Sequence, residues 1–298
     1  RVDQASGIGH CLEEVKRRHG PQALLIETGW PLVRHPLVGF LHRFARAYGS
    51  PNVATVASLC EASARMGQAL TVGSKCAPDF KHAKTLVLWG ANPWRSAPPF
   101  AHLVARKAEQ KALVVVDPVR HESAALATEF LQVRPGTDGA LALAMIHVVL
   151  EENLYPAQFV AQWTVGLEGL RALAAKFAPP QAEALTGIGR EQITRVARRL
   201  ATQAPSCIWA GLGVEHHNSG VQTIRALSAL ETLCGRFVEP ESARAFLTPV
   251  TKSFPEQMLP ALYRMSTPEP VPPPLSIRPI GYHEYPLYEV YNREAQGN

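Results

Sequence analysis

Residues 85–145 read TLVLWGANPWRSAPPFAHLVARKAEQKALVVVDPVRHESAALATEFLQVRPGTDGALALAM. Thr85–Trp89 is a short apolar run that stops at Gly90, the pattern of a buried strand. Beyond the loop, Ser96 is placed to cap a helix whose first turn takes Pro98 and Pro99, because the first N–H groups of a helix have no partner within it. Leu113–Val116 is a second buried strand and ends on Asp117. Strand, loop, helix and strand with carboxylate form half of a nucleotide-binding α/β unit. The loop backbone and helix start then face phosphate, and Asp117 reaches a ribose or base. An ordinary βαβ unit with a solvated Asp117 satisfies the same pattern. GANP is not GxGxxG, so the plain nicotinamide fingerprint is absent.

Working outward, residues 134–138 form a turn, and Thr137 caps a helix whose apolar face carries Leu141, Met145, Val148 and Val149. Residues 155–200 alternate helical stretches with breaks at Gly166, Pro179-Pro180 and residues 187–189. The last of these helices, residues 191–200, turns Arg195, Arg198 and Arg199 outward. Ser206–Ala210 is a third strand, entering a second glycine loop, GLGVEHHNSG, at residues 211–220. A helix over 221–233 backs it, packing Ile224, Leu227, Leu230 and Leu233. Toward the amino terminus, residues 12–19 end a helix at Gly20-Pro21, and residues 23–27 are a short strand. A helix over 36–48 has Leu37, Phe40, Leu41, Phe44 and Ala45 at core spacing. Residues 49–52 are a turn, and Ser58 caps a helix starting near Leu59. That places Cys60 in a first turn, where a helix lowers a thiol's pKa.

The chain has 298 residues, 46% hydrophobic and 18% charged, which is globular composition. Its net charge of +5 is spread without a dense basic run or interleaved aromatics, so it suits an anionic ligand rather than a nucleic acid. No apolar run is long enough to span a bilayer, and the first residues have no signal-peptide core. The chain starts at Arg1 rather than Met, and is expected to be cut from something longer. None of the five cysteines pairs as CxxC, so neither a zinc knuckle nor an iron–sulfur cassette is encoded. Cys207 and Cys234 read as small core residues. Residues 268–274 (PEPVPPP) are extended, and the tail beyond them is aromatic and polar without periodicity.

Taken together, these residues resemble the large catalytic subunits of molybdopterin oxidoreductases of the dimethyl-sulfoxide-reductase type. The resemblance runs roughly over residues 12–235 and rests on the GSPN turn with Cys60, the GANPxxSxP loop, the VDP strand end, RPGTDGALALAM and the GxGxxHHxxG loop, in that order. It implies an α/β fold: a doubly wound Rossmann-like domain over 58–239, part of a second, discontinuous α/β domain in 1–57, and a Pro-rich linker and irregular tail over 240–298 that returns to it. It also implies a bis-molybdopterin guanine dinucleotide cofactor carrying molybdenum or tungsten. An iron–sulfur (4Fe-4S) cluster is expected in a missing domain or in an electron-transfer partner.

On this resemblance the cofactor-binding residues are Gly90, Asn92, Pro93, Ser96, Asp117, Arg120, Gly136, Thr137, Asp138, Gly211, Gly213 and His216. Helix capping is an equal reading of Thr137 and a weaker one of Asp138, which follows a cap already present. Cys60 lies eleven residues after Gly49, the spacing of the metal ligand in cysteine-ligated members; a buried structural cysteine is the other reading of it. Glu61 stands where formate-oxidising members have His, which points away from formate and leaves Glu61 as a proton carrier. VDPR becomes VDPV at Val119, so Arg120 is the substitute guanidinium. The implied function is two-electron redox chemistry on a small anionic substrate, closest to the polysulfide and thiosulfate reductases, with periplasmic placement favoured. The alternative is a metal-free scaffold subunit of a respiratory complex; a simple nucleotide-binding module is a third reading.

Overall fold

The structure is a computed structural model and describes residues 2–29, 37–56, 60–73, 76, 78–79 and 82–237. The chain divides into two compact units after Ala62. The described part of the first unit runs α1 (Val2–His19), a 3-10 turn (Pro21–Ala23), β1 (Ile26–Thr28), α2 (Leu37–Tyr48) and β2 (Val53–Thr55). The strands pair in parallel, Ile26 opposite Val53. Gly20, at φ +81°, ends α1 in a backbone conformation that a side chain disfavours. Pro21 then opens the 3-10 turn, which displaces the strand expected at 23–27 to 26–28. The Tyr48 hydroxyl donates to the Leu12 carbonyl at 2.6 Å and ties α2 to α1. The face of α2 differs in part from expectation: Ala45 is buried as expected, with Gly39 and Tyr48, while Leu37, Phe40 and Phe44 are exposed.

The second unit begins with α3 (Ala62–Val72) and continues β3 (Thr85–Trp89), α4 (Pro93–Ser96), a 3-10 turn (Pro98–Phe100), α5 (Ala101–Glu109), β4 (Leu113–Val116), α6 (Glu122–Leu126) and β5 (Glu129–Leu131). A helical run follows: α7 (Asp138–Glu151), α8 (Ala157–Trp163), α9 (Leu167–Ala174), α10 (Pro179–Thr186) and α11 (Arg190–Thr202). The chain then re-enters the sheet as β6 (Ser206–Ala210) and ends with α12 (Leu212–Glu215) and α13 (Gly220–Leu233). The sheet order is β5-β4-β3-β6, all parallel, with Leu86 opposite both Leu113 and Cys207.

Strand alternation sorts the core. Val87, Trp89, Val114 and Val116 join the larger cluster with α7, α11 and α13. Leu86, Leu88, Leu113 and Val115 face the other way, against Val104 of α5 and Ala124 of α6. Helices thus cover both faces, as a parallel sheet requires. Helix α7 is buried well beyond the predicted face: Ala142, Ala144, Ile146 and Leu150 are buried as well. It packs against α10, α11 and α13 at once.

Four local expectations are corrected. Ser96 closes α4 instead of opening the longer helix; its hydroxyl donates to the Asn92 carbonyl at 3.0 Å. Pro98 and Pro99 sit in the 3-10 turn, and α5 starts only after Phe100. Thr137 holds the N-cap position of α7 without capping it, because its hydroxyl donates back to Arg134 O at 2.7 Å. Helix α3 starts at Ala62, so Cys60 precedes it instead of lying in its first turn; Ser58 and Leu59 lie outside the described residues, as do the Pro-rich stretch and the tail.

Candidate functional site

In a parallel sheet, ligands bind beyond the carboxyl ends of the strands, where the strand order reverses. Here that point lies between β3 and β6, since the chain moves from β3 outward to β4 and β5 and later returns to β6. Two glycines meet there. Gly90 ends β3 at φ +60°, and a Cβ on it would come within 2.7 Å of Val214 Cγ2. A Cβ on Gly211 would overlap the carbonyl oxygen of Gly90. The N–H groups of both glycines are spent on the sheet: Gly90 donates to Val116 O at 2.8 Å, and Gly211 to Trp89 O at 2.8 Å. These two glycines therefore bring the loops together, and their own N–H groups serve the sheet. Gly213 is different, since a Cβ there would meet nothing within 4 Å.

Asn92 and Pro93 open α4, with Pro93 buried. The Asn92 amide is committed within the protein: Nδ2 donates to Glu122 Oε2 at 3.1 Å, and Oδ1 accepts from the Ser123 hydroxyl at 3.2 Å. Arg95 Nε donates to Glu122 Oε1 at 2.7 Å. Glu122 thereby clamps the first loop to α6, and its own backbone N–H, followed by the Asn92 and Arg95 hydrogen bonds, holds its carboxyl down at about 2. Asp117 stands at the end of β4, with Oδ1 accepting the Val119 N–H at 2.8 Å and Oδ2 3.4 Å from His121 Nε2. Arg120 turns onto the Phe130 ring, 5.5 Å from its centroid, so the expected replacement guanidinium is drawn to the edge strand.

Asp138 is buried and accepts the Trp89 indole N–H at 2.8 Å. Burial raises its pKa above the ordinary carboxyl value, against the opposing Trp89 hydrogen bond. Gly136, at φ +80°, turns the chain beneath His217; a Cβ on Gly136 would lie 3.7 Å from His217 Nδ1. The structure thus brings Trp89, Asp117, Gly136, Asp138 and His217 to one end of the sheet. His217, and not the predicted His216, packs on the turn; His216 follows α12 and is exposed. Sequence reading also passed over Trp89, Glu122 and Glu215. Buried Glu215 accepts the Ala64 N–H of α3 at 2.7 Å.

The model of the family described as molybdopterin oxidoreductase matches residues 6–258. The chain belongs to the molybdopterin oxidoreductase family. Formate dehydrogenase H of Escherichia coli is 30% identical over 241 residues, 79% of this chain and 34% of that protein. The thiosulfate reductase molybdopterin-containing subunit PhsA of Salmonella typhimurium is 32% identical over 203 residues, 67% of this chain and 26% of that protein. Among solved structures, acetylene hydratase from Pelobacter acetylenicus superposes with a TM-score of 0.72 at 29% identity, covering 80% of this chain and 33% of that one. The chain spans about a third or less of the length of these relatives.

Cys60 and Glu61 belong to the first unit of this molybdopterin-family chain. Cys60 is in no disulfide and is half-buried, and its N–H donates to Val56 O at 2.6 Å. Cys207 and Cys234 are buried core thiols, as expected; burial pushes the Cys207 thiol up to about 12. No described helix is long and apolar enough to cross a membrane.

Proposed function

We propose that this chain is the part of a molybdenum or tungsten oxidoreductase that cradles the guanine dinucleotide of a bis-pterin cofactor, with Cys60 as the protein's ligand to the metal. The observation that carries this reading is the meeting of the Gly90 and Gly211 loops at the reversal of strand order, with Asp117 just beyond β4 and Asp138, at the start of α7, bonded to Trp89 at the end of β3. The residues present fit such a group. Asp117 offers acceptors for ribose hydroxyls or the N–H edge of guanine. The open backbone at Gly213 admits a bulky neighbour. Among the described residues no three His, Cys, Asp or Glu side chains converge on a metal position; a metal carried by the pterins needs only a single soft ligand, the role given to Cys60.

When bound, the group supplies two-electron redox chemistry at its metal. The protein's own residues hold and orient it. Gly90 and Gly211 set the spacing of the two loops, and Glu122 fixes the first loop through Asn92 and Arg95. Trp89 holds Asp138 beside the turn at Gly136. Asp117 accepts from the nucleotide, and Glu61 carries a proton to or from substrate. The substrate is a small anion of the polysulfide or thiosulfate type, consistent with Glu61 in place of His and with the +5 charge. An iron–sulfur protein or domain delivers electrons, and the protein works in the periplasm.

Metal analysis of the natively purified protein containing this chain tests the reading. Molybdenum or tungsten is expected, with a sulfur ligand in the X-ray absorption spectrum that disappears in Cys60→Ala while the dinucleotide is retained. An unchanged metal shell in Cys60→Ala would remove Cys60 from the metal. Absence of both metals would favour the scaffold role.

A further inference from the structure

His121 is the group at this end of the sheet that the site above leaves unused. It lies four residues after Asp117, immediately before α6, and its side chain is only 9% exposed. Both ring nitrogens are shut off from solvent, and neither has a hydrogen-bond partner. Folded proteins pair nearly all such atoms, so a buried imidazole in this state points to a partner it acquires. The adjacent polar atom is Asp117 Oδ2, 3.4 Å from Nε2. The other Asp117 oxygen is already fixed by the Val119 N–H, and Arg120 lies over Phe130.

We propose that His121 is the positioning residue of the nucleotide site and acts through Asp117. When a guanine nucleotide places its ribose hydroxyls or its N1–H and N2–H groups against Asp117, the His121 Nε2–H closes onto Oδ2. The carboxylate is then held between the imidazole and the Val119 N–H with its remaining lone pairs turned to the ligand. Because both ring nitrogens are buried, the nucleotide touches Asp117 and not the imidazole. The inference rests on the nucleotide reading of this strand end.

The test is calorimetric titration of GDP into the full 298-residue chain. His121→Ala is expected to weaken GDP binding by about tenfold or more, the scale of a hydrogen bond to a charged group. His121→Gln, which keeps an N–H donor, recovers most of the loss. In an Asp117→Asn background, His121→Ala costs nothing further, as required of a residue that acts through its neighbour. Folded His121→Ala with wild-type affinity, or a full additional loss in the Asp117→Asn background, overturns the inference. A second measurement needs no variant: the His121 ring 15N resonances of the wild-type chain shift on GDP addition. Saturating GDP without that shift overturns the role of His121 alone. No GDP binding by the wild-type chain overturns the nucleotide reading together with it.

Discussion

Gly211 carries the tightest constraint in the site, because any Cβ there collides with the backbone of Gly90. Gly211→Ala must separate the two loops, and is expected to cost about 1–3 kcal/mol in urea unfolding and to weaken GDP binding. Trp89→Phe keeps an aromatic ring, smaller than the indole, and strips the buried Asp138 carboxylate of its indole donor. It is expected to cost about 1–3 kcal/mol by the same measurement. Glu231 gives a pH signature. Burial pushes its carboxyl up to about 7, against the opposing effects of Arg236 and of the Ile208 N–H that it accepts. The folded state therefore holds this proton more tightly than the unfolded chain does. The stability it contributes is fully present below about 4.5 and is lost as pH rises through about 7. Glu231→Gln keeps the acceptor for Ile208 and should flatten that part of the stability–pH curve. Little of this is legible from residue identity. Trp89 reads as one more strand hydrophobe, and its bond to Asp138 spans 49 positions. His217 differs from His216 only in which neighbour sits on the Gly136 turn.

At the scale of elements, β3, β4, β6 and α13 follow from local pattern, because unbroken apolar runs and a 3.6-residue spacing suffice to bury them. Strand β5 does not announce itself. It is three residues long, pairs among the described residues only with β4, and directs Glu129 to Arg195 at 2.9 Å. The start of α3 is hidden for another reason: one of its first N–H groups is satisfied by Glu215, 151 positions away, and not by a nearby Ser or Thr. The same distinction between local and distant support predicts relative stabilities. Arg198 forks onto Glu152 through Nε at 2.7 Å and Nη2 at 2.8 Å, but both side chains are largely solvated. Arg198→Ala is expected to cost under about 1 kcal/mol. Leu141→Ala, in the fully buried face of α7, should cost about 2–5 kcal/mol. Chemical unfolding of the two variants checks the order, and a larger loss for Arg198→Ala would contradict this account of how α7 and α11 are held.

For the whole molecule, the doubly wound order emerges because three of the four strands of the second unit are readable and right-handed crossovers leave few alternatives. The family was legible because its motifs fall on the carboxyl ends of those strands, where ligand-binding residues of this architecture gather. The contacts that brace the site were not, because Asn92, Glu122 and Glu215 are placed by packing between elements distant in sequence. The central claim is that this end of the sheet holds a guanine dinucleotide. It is tested most directly by measuring the nucleotide released on acid hydrolysis of the natively purified protein containing this chain. GMP is expected in stoichiometric amounts and is lost when Asp117→Asn is combined with Gly211→Ala; natively purified protein that releases no guanine nucleotide would mean that this end of the sheet holds no such group.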